Sequence, residues 1–151
     1  MAEYDPNAPN AMRYPRVTTM DEMEQLPRLP FNTGIDTCIF LSREATDTRY
    51  FRHGICWPGA DHAGYTWEQY DFDETHWVIK GKIRLRVKDV DGREIVLEAK
   101  EGEHIYCPGG YVYTLEATGV DSAFYWTSGP SNRNGLVEVP EFSAAMRTQR
   151  K

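Results

Sequence analysis

The chain has 151 residues, 40% hydrophobic and 13% aromatic, the composition of a folded domain with one core and not of a disordered segment. A net charge of −6 argues against a nucleic-acid partner, because phosphate binding needs a concentrated basic surface, and no apolar run approaches membrane-spanning length. Cys38, Cys56 and Cys107 are an odd set without CxxC spacing, which suggests neither a disulfide framework nor a zinc knuckle; with no hydrophobic signal segment at the N-terminus, the expected location is cytoplasmic.

Residues 1–30 read as an N-terminal arm and one short helix. The arm is rich in Pro, Asn and Ala and carries Tyr4, Met12, Tyr14 and Pro15. Such a segment suits covering an edge strand of a partner subunit, so a homodimer is expected. Thr19 followed by Glu22 has the capping-box pattern and predicts a helix from Met20 to Gln25, stopped by Pro27.

Residues 31–130 read as an all-β domain. Strands are predicted at Asp36–Leu41, Arg49–Trp57, Gly64–Tyr70, His76–Ile79, Lys82–Val87, Glu94–Ala99, His104–Cys107, Tyr111–Glu116 and Ser122–Thr127. Ile83, Leu85 and Val87 alternate with basic residues, and Asp91-Gly92 supplies a tight hairpin into the next strand. Many short strands with almost no helix imply a sandwich or barrel. Residues 131–151 read as a peripheral tail.

Two stretches carry the chemistry. The first is Glu74-Thr-His-Trp-Val-Ile-Lys-Gly81, a Glu followed by six residues and then Gly; the second is Gly102-Glu-His-Ile-Tyr-Cys-Pro108-Gly-Gly110-Tyr-Val-Tyr113. They resemble the two signatures of the cupin superfamily, G-x5-HxH-x3-4-E-x6-G and G-x5-PxG-x2-H-x3-N. The resemblance covers roughly residues 35–128 and implies a single-domain jelly-roll β-barrel with a ligand pocket inside. It departs from the family at the ligands. Tyr113 stands at the second-motif histidine, Ala117 at its closing Asn, and the first-motif Gly is missing. A three-residue spacer places the HxH positions on Glu68 and Tyr70, and a four-residue spacer places them on Trp67 and Gln69. The first is preferred here because it turns titratable groups inward.

The run Tyr70-Asp-Phe-Asp-Glu74-Thr-His76-Trp-Val-Ile-Lys-Gly81 is similar to the ethanolamine-utilisation type of cupin, which also lacks the histidine cage. An acidic residue tends to occupy the position of His76 there. Acetate-kinase activity has been attributed to that family, but this chain has no phosphate-cradling Gly-rich loop or P-loop Lys, so the resemblance implies fold and pocket, not that reaction.

Residues two apart on a strand point the same way, so Glu74 and His76 should face inward together, the carboxylate fixing the imidazole tautomer. The leading expectation is a small-molecule enzyme of lyase, isomerase or cyclase type. Glu74 and His76 would act as coupled base and acid, and Tyr70 and Tyr113 would orient or protonate the substrate. Metal-free sugar-nucleotide epimerases of the same superfamily work with His and Tyr in this way. Glu68, Trp67 and Trp126 are the expected substrate-binding residues. No cofactor is required on this reading. An alternative places one divalent ion (manganese, iron or zinc) on Glu68, Glu74, His76 and a Tyr. A third possibility is a non-catalytic ligand-binding or assembly protein. His53, His62 and His104 receive no role, and Cys107 reads as a small core residue.

Overall fold

The structure, a computed structural model, describes residues 17, 19–25, 28–41, 51–69 and 72–129. The expected arm (1–16), the tail (131–151) and Tyr70 lie outside them.

Helix α1 (Met20–Glu24) forms where the capping box predicts it. Thr19 Oγ1 accepts from the Glu22 N–H at 3.2 Å, and the Glu22 carboxylate takes the Thr19 N–H at 2.7 Å. Both ends of the first turn are thereby satisfied. Strand β1 (Leu29–Asn32) was not expected, because Pro30 interrupts it; a four-residue strand at a sheet edge tolerates a proline. The remaining strands are β2 (Ile35–Leu41), β3 (Arg52–Pro58), β4 (Tyr65–Gln69), β5 (Asp73–Lys80), β6 (Lys82–Lys88), β7 (Glu94–Lys100), β8 (His104–Cys107), β9 (Tyr111–Glu116) and β10 (Ala123–Gly129).

They form two antiparallel sheets facing each other across the core. One has six strands in the order β1-β2-β3-β10-β5-β8, the other four in the order β4-β9-β6-β7. The alternation in β6 works as read: Ile83, Leu85 and Val87 are buried, while Arg84 and Arg86 pair outside with Glu98 and Glu116. The β6–β7 turn is longer than the expected two-residue hairpin. It runs from Asp89 to Arg93 and is tied by Asp89 Oδ1, which accepts from the N–H groups of Asp91 and Arg93.

Val78, Cys56, Ile105, Cys107 and Phe124 of the large sheet meet Ile83, Leu85, Val87, Tyr113 and Leu115 of the small one. Strands β2 and β3 are buried on both faces, since Cys38 and Ile55 on the outside are as sequestered as Thr37 and Cys56 within. Helix α1 sits against that outer face, where Tyr125 donates its hydroxyl to Met20 Sδ. Strand β5 begins at Asp73, three residues earlier than predicted, and this fixes the side-chain parity of the site.

Candidate active site

The site is laid out by strand register. On the inner face of the six-stranded sheet, Arg52 (β3), Ser128 (β10), Glu74 (β5) and Cys107 (β8) stand in one cross-strand row. The next row, one step further in, is Gly54, Trp126, His76 and Ile105. Cys56, Phe124 and Val78 follow. Gly54 is there because a Cβ would lie 2.4 Å from the Cys38 carbonyl oxygen and 2.6 Å from the Trp126 ring. The indole therefore leans off its own strand over β3.

Glu74 and His76 are neighbours on the inner face. The carboxylate Oε1 lies 2.5 Å from His76 Nε2, with Glu74 14% and His76 2% exposed. The other ring nitrogen, Nδ1, is buried without a hydrogen-bond partner among the described residues. Phe124 packs against the imidazole at 4.8 Å between ring centroids, and Trp67 approaches from the opposite sheet at 6.0 Å. Trp67 continues an aromatic wall, stacked between Tyr65 at 5.8 Å and Tyr113 at 5.4 Å.

The electrostatics follow from burial beside a carboxylate. Burial pushes the Cys107 thiol well above its ordinary range, and the Glu74 charge adds to this. The Cys56 thiol is pushed up to about 12 by burial, lowered a little by its bond to Thr37 Oγ1 at 3.2 Å. Burial thus disfavours the thiolate form at both positions. Burial, with Glu74 nearby, also raises the Tyr65 phenol. Tyr113 is raised by burial first and by Cys107 second, and its hydroxyl donates to the Pro108 carbonyl at 2.6 Å.

No protein-family model matches the sequence, and no curated protein matches it. Among solved structures, the EutQ protein of Clostridium difficile aligns with a TM-score of 0.50 at 21% identity, over 65% of this chain and 64% of that one. A mutant of oxalate decarboxylase OxdC from Bacillus subtilis aligns with a TM-score of 0.63 at 14% identity, over 74% of this chain but 29% of that one. A tryptophan-to-phenylalanine mutant of the same decarboxylase aligns with a TM-score of 0.61, again over 29% of its length. The fold is a cupin jelly roll. At these identities the likeness establishes the fold alone.

Against the cupin pattern, the first motif takes the four-residue spacer and not the three-residue one. Trp67 and Gln69 face inward, whereas Glu68 is exposed on the outer face opposite Val112. This removes Glu68 from the inner face, both as a substrate-binding residue and as a ligand. The reason is visible in β4 itself, where Tyr65, Trp67 and Gln69 alternate with Thr66 and Glu68. The four cage positions are thus Trp67, Gln69, Glu74 and Tyr113.

The cupin fold implies a metal at those positions, and these residues do not fit one. Trp67 offers an N–H, which it donates to Gln69 Oε1 at 3.0 Å. Gln69 is fully buried and gives its amide hydrogens to the carbonyls of Phe72 at 3.1 Å and Cys107 at 2.5 Å. Tyr113 keeps its proton for Pro108. Among the described residues, no cluster of three His, Cys, Asp or Glu side chains is placed to hold a metal ion. Two of the cage positions, Trp67 and Gln69, have become a hydrogen-bonded latch between β4, β8 and the residue before β5, and a third, Tyr113, closes onto Pro108.

Gln69 as a structural latch, Gly54, Tyr65 and Arg52 are the inner-face residues that sequence reasoning missed. Simple alternation in β4 would have turned Gln69 inward. The others depend on which strands become neighbours, which no local pattern reveals. Trp126 lies on the inner face over Gly54, beside rather than upon the His76 ring. His53 stacks on Tyr125 with its Nδ1 2.5 Å from Thr127 Oγ1, and Trp77 stacks on His104; the registers put both pairs on the outer face.

Proposed function

We propose that this cupin is an enzyme that moves a proton on a small-molecule substrate, with His76 as the base and Glu74 as the residue that positions it. The observation that carries this reading is the division of the imidazole between its two nitrogens. An ionised carboxylate only accepts hydrogen bonds, so Nε2 facing Glu74 carries the ring hydrogen, and the lone pair of the neutral ring falls on Nδ1. That nitrogen has no protein partner among the described residues. Leaving a buried acceptor unsatisfied costs about 1–3 kcal/mol, a cost that function explains and packing does not.

The arrangement is the carboxylate–imidazole half of a catalytic triad, with the carboxylate holding the tautomer and stabilising the imidazolium that forms on proton transfer. Glu74 is therefore a positioning residue and not a second, independent base. The aromatic wall and the neutral thiols keep the surroundings weakly polar, which strengthens the interaction of the imidazolium with Glu74. Proton abstraction next to a carbonyl, as in isomerase, cyclase or lyase reactions, is the chemistry such a pair serves.

The test is isotope exchange. The protein is incubated in D2O with a panel of 2-, 3-, 4- and 5-oxo acids, aldoses and ketoses, and loss of carbon-bound proton signals is followed by NMR. Wild type should exchange one position in at least one class. His76→Gln, which keeps an N–H toward Glu74 but has no base, should abolish exchange, and Glu74→Gln should slow it by about 100- to 10,000-fold. Absence of exchange across the panel, or exchange indifferent to both substitutions, refutes the proposal.

A further inference from the structure

We infer that the pocket takes a carboxylate-bearing substrate, seated by Arg52 and Ser128 with its reacting carbon turned toward His76. This deepens the acid–base reading and rests on it only for the identity of the reacting end.

The row that contains Glu74 is electrically polar. It starts with a guanidinium on β3, passes the buried Ser128 hydroxyl on β10, reaches the Glu74 carboxylate on β5 and ends at a thiol that burial keeps neutral. An anion entering this row is drawn to the β3 side and repelled from the β5 side. The two rows therefore orient a ligand: its charged end goes to Arg52 and its uncharged end lies over His76. Arg52 is half-buried, and its Nε is out of contact with solvent. The next inward position on β3, Gly54, is covered by the Trp126 ring, which walls the inner side of the Arg52 position. Arg52 also has a partner within the chain, and its five N–H donors allow it to keep that partner while holding a carboxylate.

Geometry sets the ligand length. Arg52 and His76 are two strands apart laterally and two residues apart along the strands, which separates their Cα atoms by about 12 Å. Side chains stand roughly perpendicular to a sheet, so the guanidinium and imidazole start about that far apart. A guanidinium–carboxylate contact occupies about 4 Å of this and a C–H···N approach about 3 Å, leaving about 5 Å between the carboxylate carbon and the reacting carbon. That matches a carboxylic acid of about four to six carbons whose reacting carbon lies away from the carboxylate.

The experiment measures binding separately from turnover. Tryptophan fluorescence is titrated with saturated four- to six-carbon monocarboxylates carrying a ketone on the carbon next to the terminal methyl, with their neutral amides, and with a phosphate monoester of the same length. Wild type should bind the carboxylates at least 10-fold more tightly than the amides. Arg52→Gln should erase that preference, and Arg52→Lys, which keeps the charge but not the two-pronged fork, should retain part of it. His76→Gln should retain carboxylate binding. Equal affinity for carboxylates and amides in wild type, or a preference that survives Arg52→Gln in protein with an unchanged circular dichroism spectrum, overturns the inference. Tighter binding of the phosphate monoester overturns the carboxylate assignment. Arg52-dependent binding without deuterium exchange upholds this seat and counts against the proposed acid–base activity.

Discussion

Gln69→Met tests whether a metal-ligand position has become a structural latch. Methionine nearly matches glutamine in volume, so the substitution leaves little cavity and isolates the hydrogen bonds. Three partners lose a bond: Trp67 Nε1, the Phe72 carbonyl and the Cys107 carbonyl. The indole is half-buried and can turn to water, so its loss is small. Each buried carbonyl left unsatisfied costs about 1–3 kcal/mol, and burying a thioether instead of an amide returns part of this. The expected net loss is about 3 kcal/mol, a large fraction of the ~5–15 kcal/mol that holds a domain folded. With a urea slope of about 1.5 kcal/mol/M, the unfolding midpoint should fall by about 2 M, with the slope unchanged. Tryptophan fluorescence reads the transition directly. A shift below about 0.5 M would show that the three bonds do not latch β4 to β8 and would reopen the cage to other side chains.

Two further outcomes are expected. Gly54→Ala places a methyl 2.4 Å from the Cys38 carbonyl and 2.6 Å from the Trp126 ring, so overpacking should cost about 3 kcal/mol and lower the melting temperature by about 10 °C; a change within about 2 °C would contradict the close approach. His62 Nδ1 accepts from the Gly64 N–H at 2.9 Å, and burial lowers its pKa from 6.5, with the Glu116 backbone pulling the other way. Below about pH 6.5 the unfolded chain binds the extra proton more readily than the folded one, so this stability is present above that pH and is lost as the pH falls toward the lower folded value. Urea midpoints at pH 7.5, 6.5 and 5.5 should show a shallower decline for His62→Gln than for wild type; parallel declines would exclude His62 as a contributor.

Most of the barrel could be read from the chain because its strands carry their own signals. The Ile83, Leu85, Val87 stripe and the Pro108–Gly110 turn fix strands by alternation and by punctuation, whatever packs against them. Leu29–Asn32 could not be read this way, since its pairing with β2 and not its composition makes it a strand. In the site, Glu74 and His76 were legible as a same-face pair once both fell within one strand. The register of β4 was equally legible from Tyr65, Trp67 and Gln69, whose alternation outweighs the titratable Glu68 and Tyr70 that favoured the other spacer. Arg52 and Gly54 were beyond reach, because their place beside Ser128 and Trp126 comes from contacts distant in sequence.

Because Glu74 and His76 are alternate residues of a single strand, their alignment is inherited from the pleat of β5 and from nothing that must swing into place. A change in the spacing of the two sheets would move Trp67 relative to the imidazole while leaving the carboxylate in place beside it. In such an arrangement, variation in the facing wall at Tyr65, Trp67 and Tyr113 can retune which molecules are admitted without detuning the proton acceptor, so selectivity and reactivity are free to change one at a time.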